Sequence, residues 1–455
     1  MDLEKLKTCV HCGLCLEACP TYRILKNEAD SPRGRIVFMR GLAENKITLT
    51  PAVFKHLDAC LDCRACETVC PAGVSYGELI EQARMEMPPE ISGGKLKTRI
   101  KRFILTKVLG DPLFLGWLGK ALQLYQKSGL KKLISKTQIL KLFPETVQKA
   151  EALLPEIQTA PKSSFHSPSE SANSFDFNLS AYKNPIVTET QEKLLPKSSS
   201  SETPKSKLRI ALFRGCIAPI LFPQVEHAVM QVLSLMGCEV LIPKNQICCG
   251  ALLVHSGFQK EALDFVKKNL EVFRSEKPDF IVTTAAGCGS WLKECSKFSP
   301  EAEEFSSKVK DFTELIHPLN FSLTWKPLPL KVVYLDACHL LHAQKIKDEP
   351  RELLNLIPDL QLLNPPHPDW CCGSAGIYNL THPELAEKIL EKKMETFISL
   401  NPDIIAVGNP GCALQIRMGL KKAGLNIPIL HPAELLQMSL MGTGLDPLLK
   451  SKRCQ

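Results

Sequence analysis

Cys9, Cys12, Cys15 and Cys19, followed by Pro20, recur fifty-one residues later as Cys60, Cys63, Cys66 and Cys70, followed by Pro71. Each copy reads C-x2-C-x2-C-x3-C-P. With this spacing three thiolates on one tight loop hold a [4Fe-4S] cubane, and the fourth reaches across to a neighbouring one. The expected ligand sets are Cys9, Cys12, Cys15 and Cys70 for one cluster, and Cys60, Cys63, Cys66 and Cys19 for the other. Proline ends the loop and lets the fourth cysteine enter a helix. Zinc sites and disulfides fit less well, because zinc ligands usually come as two separated pairs rather than four consecutive cysteines closed by proline. The chain thus opens as a two-cluster electron wire.

At 455 residues the chain exceeds what one core usually supports, so two or three domains are expected. Nineteen cysteines are many, but they are not spaced like a secreted disulfide scaffold, and cluster thiolates must stay reduced. The start, Met1-Asp2-Leu3-Glu4-Lys5, does not read as a secretory leader, so a cytoplasmic location is expected. No apolar run approaches the roughly 18 to 20 residues of a spanning helix. Any membrane contact should therefore be peripheral, on the inner face, or made through a partner.

The net charge of +8 is concentrated between Lys95 and Lys141, where twelve Lys or Arg face one acid, Asp111. Apolar residues are interleaved there, as in Arg102-Phe103-Ile104-Leu105 and Leu113-Phe114-Leu115-Gly116-Trp117-Leu118. Such basic amphipathic helices pack a domain onto its neighbour, dock on an acidic subunit, or lie on an anionic membrane. No base-reading module accompanies the charge, so nucleic acid is not an expected partner. From about Pro155 to Ser206 the composition turns to Ser, Pro, Thr, Asn and Lys, as expected for a flexible linker.

Beyond residue 206 the sequence repeats. Short apolar strands at Leu208–Phe213 and Lys331–Leu335 deliver Cys216 and Cys338. Cys248-Cys249-Gly250 corresponds to Cys371-Cys372-Gly373, and amphipathic helices over Gln259–Ser275 and Pro383–Leu400 follow. A further strand then leads into Cys288 or Cys412, and the copies close on Phe312-Thr313-Glu314-Leu315 and Pro432-Ala433-Glu434-Leu435. Equivalent cysteines are offset by 122 to 124 residues, so the register barely drifts. Alternating strands and helices of this length predict two α/β units with parallel sheets, and their chemistry is expected on loops at the strand ends. Glycine after the paired cysteines allows a backbone turn that faces both thiols at one object: a cluster, a zinc ion or a dithiol pair. A buried structural pair is the bland alternative.

These phrases, together with Cys19-Pro20-Thr21-Tyr22, Ser31-Pro32-Arg33-Gly34-Arg35-Ile36, Asp336-Ala337-Cys338-His339-Leu340, the run Cys371–Leu380 and Asn409-Pro410-Gly411-Cys412, resemble the iron-sulfur subunits of glycolate oxidase (glycolate dehydrogenase). The resemblance covers the whole chain except the linker. It implies an α+β and α/β protein: a helical two-cluster ferredoxin-like domain (1–90), a basic helical connector (91–154), the linker (155–206) and two tandem cysteine-rich CCG domains (207–325 and 326–455). It also implies a role within an oxidoreductase acting on CH-OH donors. FAD-binding glycolate oxidase subunits would oxidise glycolate to glyoxylate, and this chain would pass the electrons through two [4Fe-4S] clusters to a quinone or another acceptor. No dinucleotide fingerprint appears in the chain itself, in keeping with that division. The alternative is a heterodisulfide-reductase-like or lactate-utilisation-type subunit acting at the CCG cysteines.

One departure stands out. Heterodisulfide reductase subunits end each motif in Cys-x-x-Cys, whereas here Cys288 precedes Gly289-Ser290-Trp291 and Cys412 precedes Ala413-Leu414-Gln415. Each copy thus offers four thiols: Cys216, Cys248, Cys249 and Cys288, or Cys338, Cys371, Cys372 and Cys412. Four suffice for a tetrahedral site and leave room for an additional metal centre. Among His255, His339 and His342 a surface role is expected, with His339 the best placed to handle a proton.

Overall fold

The computed structural model describes residues 1–88, 91, 94–128, 151, 207–319 and 323–442. The linker expected at 155–206, the connector after residue 128 except residue 151, and the end of the second repeat lie outside the described residues.

The first 88 residues form short helices: Leu3–Lys7, Cys15–Ala18, Pro20–Leu25, Pro32–Ala43, Pro51–Asp58, Ala65–Thr68 and Tyr76–Glu86. Ser31 and Thr50 cap two of them by accepting from the backbone N–H of Gly34 and Val53, with Pro32 and Pro51 in the first turn, where a missing N–H costs nothing. Leu6, Met39, Leu57, Leu79 and Ile80 fill the small core, each contributing about 1.5–3 kcal/mol by burial. Cys19 is the N-cap residue of Pro20–Leu25. In the second copy no helix follows Pro71 until Tyr76, so that proline ends its loop without starting a helix.

The two cysteine loops share a backbone device. His11 and Gly13 in the first, and Asp62 and Arg64 in the second, have φ of 54°, 88°, 54° and 59°. Left-handed residues at the second and fourth positions after the leading cysteine coil each loop around a common centre. Only one of the four is glycine, so surrounding contacts must hold the rest.

In the repeated half, β1 (Arg209–Phe213), β2 (Glu239–Leu241), β3 (Phe280–Thr283) and β4 (Val309–Asp311) form a parallel sheet of order β2-β1-β3-β4. β5 (Lys331–Tyr334), β6 (Gln361–Leu363), β7 (Ile404–Ala406) and β8 (Ile429–Leu430) repeat it as β6-β5-β7-β8. Ala211 pairs with Ile281, and the equivalent Val333 pairs with Ile405. The central strands are almost wholly buried, as parallel strands covered on both faces require. Both last helices start with a capping box, Asp311 with Glu314 and His431 with Glu434.

The helix expected over Pro383–Leu400 stops at Glu395, and a 3-10 turn, Ile398–Leu400, follows. Thr396 Oγ1 bonds the Lys393 carbonyl at 2.7 Å and competes with continuation of the helix. The two repeats share one core: Val229, Val232 and Leu233 of the helix Pro223–Leu235 lie with Ala433 and Leu436 of Pro432–Met441, and with Val332 and Ile404. The connector helices Lys95–Phe103 and Pro112–Lys127 dock on the first repeat. Leu105 is buried with Phe258 and Phe265, and Arg102 pairs with Glu261 at 3.2 Å.

Candidate functional site

Cys19, Cys60, Cys63 and Cys66 line one cavity, together with Arg35, Arg64 and Tyr76. All four cysteines are buried. Cys60 Sγ accepts from Asp62 N–H at 3.3 Å and from Tyr76 O–H at 3.7 Å, while Thr21 Oγ1, which donates to the Asp30 carbonyl, lies 3.1 Å from Cys19 Sγ. Arg35, buried and charged, stands 4.0 Å from Cys19 Sγ. A cavity walled by four thiols, with buried cations around it, fits an anionic thiolate-bound cluster. Hydrogen bonds to sulfur of this kind tune cluster potential.

The other expected set is more open. Cys12 is exposed, and Cys9, Cys15 and Cys70 are half-buried. Burial pushes the Cys15 thiol up to about 11, with the neighbouring Cys9 and Cys19 adding to the rise. Arg33 holds the loop by donating to the His11 carbonyl at 3.0 Å.

In the first repeat the thiols of Cys216 and Cys248 interact, as do those of Cys248 and Cys249, and Cys249 Sγ lies 3.2 Å from Cys288 Sγ. In the second repeat Cys371 touches Cys338 and Cys372, and Cys372 touches Cys412. Gly250 and Gly373 follow the paired cysteines with φ of 91° and 83°, the turn expected there. The expectation that all these cysteines sit on loops is corrected for two of them. Cys288 and Cys412 lie in the first turns of the helices Ala286–Glu294 and Pro410–Lys422.

The repeats differ in their surroundings. The Cys371 thiol also contacts Cys63, so the second set joins the four-sulfur cavity directly. Lys393, 1% exposed, donates to the Pro368 carbonyl and lowers the Cys372 thiol by its charge; the hydrogen bonds from Cys371 and Cys412 have the larger effect. Asn269 holds the corresponding place in the first repeat and spends its amide on Cys248 O and Ile247 N. That contrast was legible only as two letters 124 residues apart.

Of the three histidines His342 is buried, a second correction, while His255 and His339 are half-buried. His255 Nδ1 lies 3.1 Å from Asp62 and 3.0 Å from Glu81, and its ring meets that of His339 at 5.1 Å between centroids. Burial works against the His255 proton, but these two carboxylates outweigh it and raise the group to about 9. His339 is pushed down to about 3, first by burial and then by the His255 charge, so it does not carry a proton near neutrality. His342 accepts from or donates to Thr68 at 2.8 Å. Asp62, Glu81 and His255 have the spacing of a metal triad. Arg64 and Arg84 already stand 3.5 Å from Glu81 and 3.9 Å from Asp62, so the two carboxylates are neutralised without a cation. Arg64 also forks onto Glu294 at 2.7 and 2.6 Å, tying the cysteine loop to the first repeat.

Together these features define an iron–sulfur electron carrier in which a dicluster ferredoxin unit is clasped by a duplicated cysteine-rich unit. Residues 5–74 match the 4Fe-4S dicluster domain family, and residues 210–293 and 332–417 match the cysteine-rich CCG domain. Residues 97–154 match the linker region of the glycolate oxidase iron-sulfur subunit. The chain is 34% identical over 453 residues to the probable glycolate oxidase iron-sulfur subunit of Bacillus subtilis (strain 168), covering 96% of this chain and 94% of that one. It is 29% identical over 418 residues to the glycolate oxidase iron-sulfur subunit of Escherichia coli (strain K12), covering 90% and 88%. Lactate utilization protein A 1 of Bacillus mycoides (strain KBAB4), 28% identical, matches 50% of this chain and 96% of its own length. The chain belongs to the glycolate oxidase iron-sulfur subunit family.

Proposed function

We propose that this chain carries electrons from flavin-containing subunits that oxidise glycolate to glyoxylate, through its buried thiolate-bound centres, to an acceptor at a membrane. The observation that carries the reading is the contiguity of sulfur: the cavity of Cys19, Cys60, Cys63 and Cys66 meets Cys371, which leads to Cys372 and Cys412. Bound [4Fe-4S] clusters supply one-electron steps, whereas a flavin handles the two-electron oxidation. The chain's own residues supply the thiolates, the hydrogen bonds to sulfur and a dry surrounding. The second repeat, with Lys393 as a buried counter-charge, is better suited than the first to hold a further anionic centre.

The membrane contact rests on the connector. Leu113, Trp117 and Leu124 are 86%, 65% and 69% exposed along one face of the helix Pro112–Lys127. Leu96, Ile100 and Phe103 are similarly exposed on Lys95–Phe103, beside Lys97, Arg99 and Lys101. Apolar side chains flanked by cations suit an anionic lipid surface. No helix among the described residues is long and apolar enough to cross a membrane.

The test is anaerobic iron and sulfide analysis with EPR of the reduced chain. Two interacting cubanes, about eight irons per chain, are expected. Zinc in their place, or a colourless protein, would overturn the reading.

A further inference from the structure

Among the described residues two cations line the cysteine cavity, Arg35 and Arg64. Arg64 is matched by carboxylates: it forks onto Glu294, while Glu81 and Asp62 stand 3.5 and 3.8 Å from its other two nitrogens. Its charge is therefore balanced beside the cavity.

Arg35 is only 1% exposed. Its Nε donates to the His56 carbonyl at 2.6 Å and its Nη1 to Thr21 Oγ1 at 3.1 Å, so the guanidinium plane is fixed at two points. The same Nη1 stands 4.0 Å from Cys19 Sγ. Nη2 is buried and has no hydrogen-bond partner among the described residues. Asp30 Oδ1 lies 3.7 Å from it, outside hydrogen-bond range, and that carboxylate is engaged elsewhere. His56 Nδ1 is 2.9 Å from Oδ1, and Asn27 Nδ2 donates to Oδ2 at 3.1 Å. A guanidinium cannot shed a proton to escape burial, and an unmet N–H on a buried cation is costly unless an anion meets it.

Arg33, two residues earlier on the helix Pro32–Ala43, serves the open cysteine loop through the His11 carbonyl. Its Nε and Nη2 both donate to Glu28, at 2.6 and 3.3 Å, so this cation carries its own counter-charge. Its side chain is also 31% exposed, where water screens it. Positions i and i+2 of a helix face apart. One helix therefore gives a balanced arginine to the open site and an arginine with an unmet N–H to the buried one.

We propose that Arg35, through its charge and its unmet Nη2–H, raises the reduction potential of the cluster bound by Cys19, Cys60, Cys63 and Cys66. This deepens the electron-transfer reading and rests on it. Reduction by the flavin partner adds one electron, and with it one unit of negative charge, to that centre. A buried cation with a donor to spare stabilises the added charge more than it stabilises the oxidised form, and net charge and hydrogen bonds set such potentials. The effect falls on the buried centre, because Arg33 is already balanced by Glu28 at the open one. Arg35 thereby biases each electron toward the centre whose Cys63 meets Cys371 of the second repeat.

The experiment is an EPR-monitored redox titration of the full-length chain, loaded anaerobically with iron and sulfide, which gives a midpoint for each cluster. Cys63→Ser, which removes a ligand of the buried cluster, identifies the midpoint that belongs to it. Arg35→Met should lower that midpoint by about 59 mV or more, a tenfold shift in a one-electron equilibrium and the size of one hydrogen bond to a charged group, and leave the other in place. Arg35→Lys keeps the buried cation but not the fixed fork, so the same midpoint should fall by less. It carries the test if Arg35→Met does not take up iron. Unmoved midpoints in the loaded variants, a rise, or equal shifts of both clusters would each overturn the proposal. Failure of both variants to load would also overturn it, by making Arg35 a requirement for assembly of the site. A wild-type chain without the EPR signal of a reduced cubane would instead strike the electron-transfer reading itself, before any variant is made.

Discussion

Gly373 shows how tightly single positions are fixed around the second cysteine pair. At φ +83° an added Cβ would stand 2.5 Å from the Ala386 carbonyl oxygen. Gly373→Ala should cost about 3 kcal/mol or more, because left-handed strain and a backbone clash add. Gly73→Ala, at φ +63° with nothing within 4 Å, should cost about 1 kcal/mol. Thermal unfolding of both variants checks the difference. His255 gives a pH signature. Its folded value of about 9 exceeds the ordinary 6.5, so the stability it contributes is full below about pH 6.5 and is lost as pH rises through about 9. The Tm gap between the wild type and His255→Gln should therefore be large at pH 6 and shrink toward pH 10. Gly373 was legible, because a glycine after paired cysteines implies a turn. His255 was not: its partners Asp62 and Glu81 lie 193 and 174 residues away in sequence.

Periodicity carried most of the information at the level of elements. Strands beginning at Arg209 and Lys331 start within a residue of where the apolar runs place them. Helix ends were less legible: Thr396 stops one helix early, and Cys288 and Cys412 enter helices whose starts depend on a Pro or on tertiary context. The basic connector was legible as amphipathic, but which residues stay uncovered depends on what docks where: among its described residues, Leu105 and Leu115 are the large apolar side chains that are buried. Replacing Leu113, Trp117 and Leu124 together by Glu should abolish pelleting with anionic vesicles. Because all three are exposed, stability should change by no more than about 0.5 kcal/mol per site.

In the molecule as a whole, the ferredoxin-like unit is wedged against both repeats. Arg64 reaches Glu294 of the first, while Tyr378 O–H of the second donates to the Ala59 carbonyl at 3.0 Å. Repeat spacing revealed two α/β units, but not that they share a core or that Cys371 of the second touches Cys63. Neither fact leaves a periodic trace, since both arise from contacts across hundreds of residues. Arg64→Met would leave the buried Asp62 and Glu81 to His255 and Arg84, and Glu294 to Lys297, and should destabilise the assembly by about 3 kcal/mol, seen as a lower Tm. The most direct test of the whole account mixes glycolate rapidly with the complex carrying Cys63→Ser and follows flavin bleaching and acceptor reduction together. Flavin should be reduced at the wild-type rate while electron delivery to the acceptor is abolished. Undiminished delivery, or loss of flavin reduction, would contradict it.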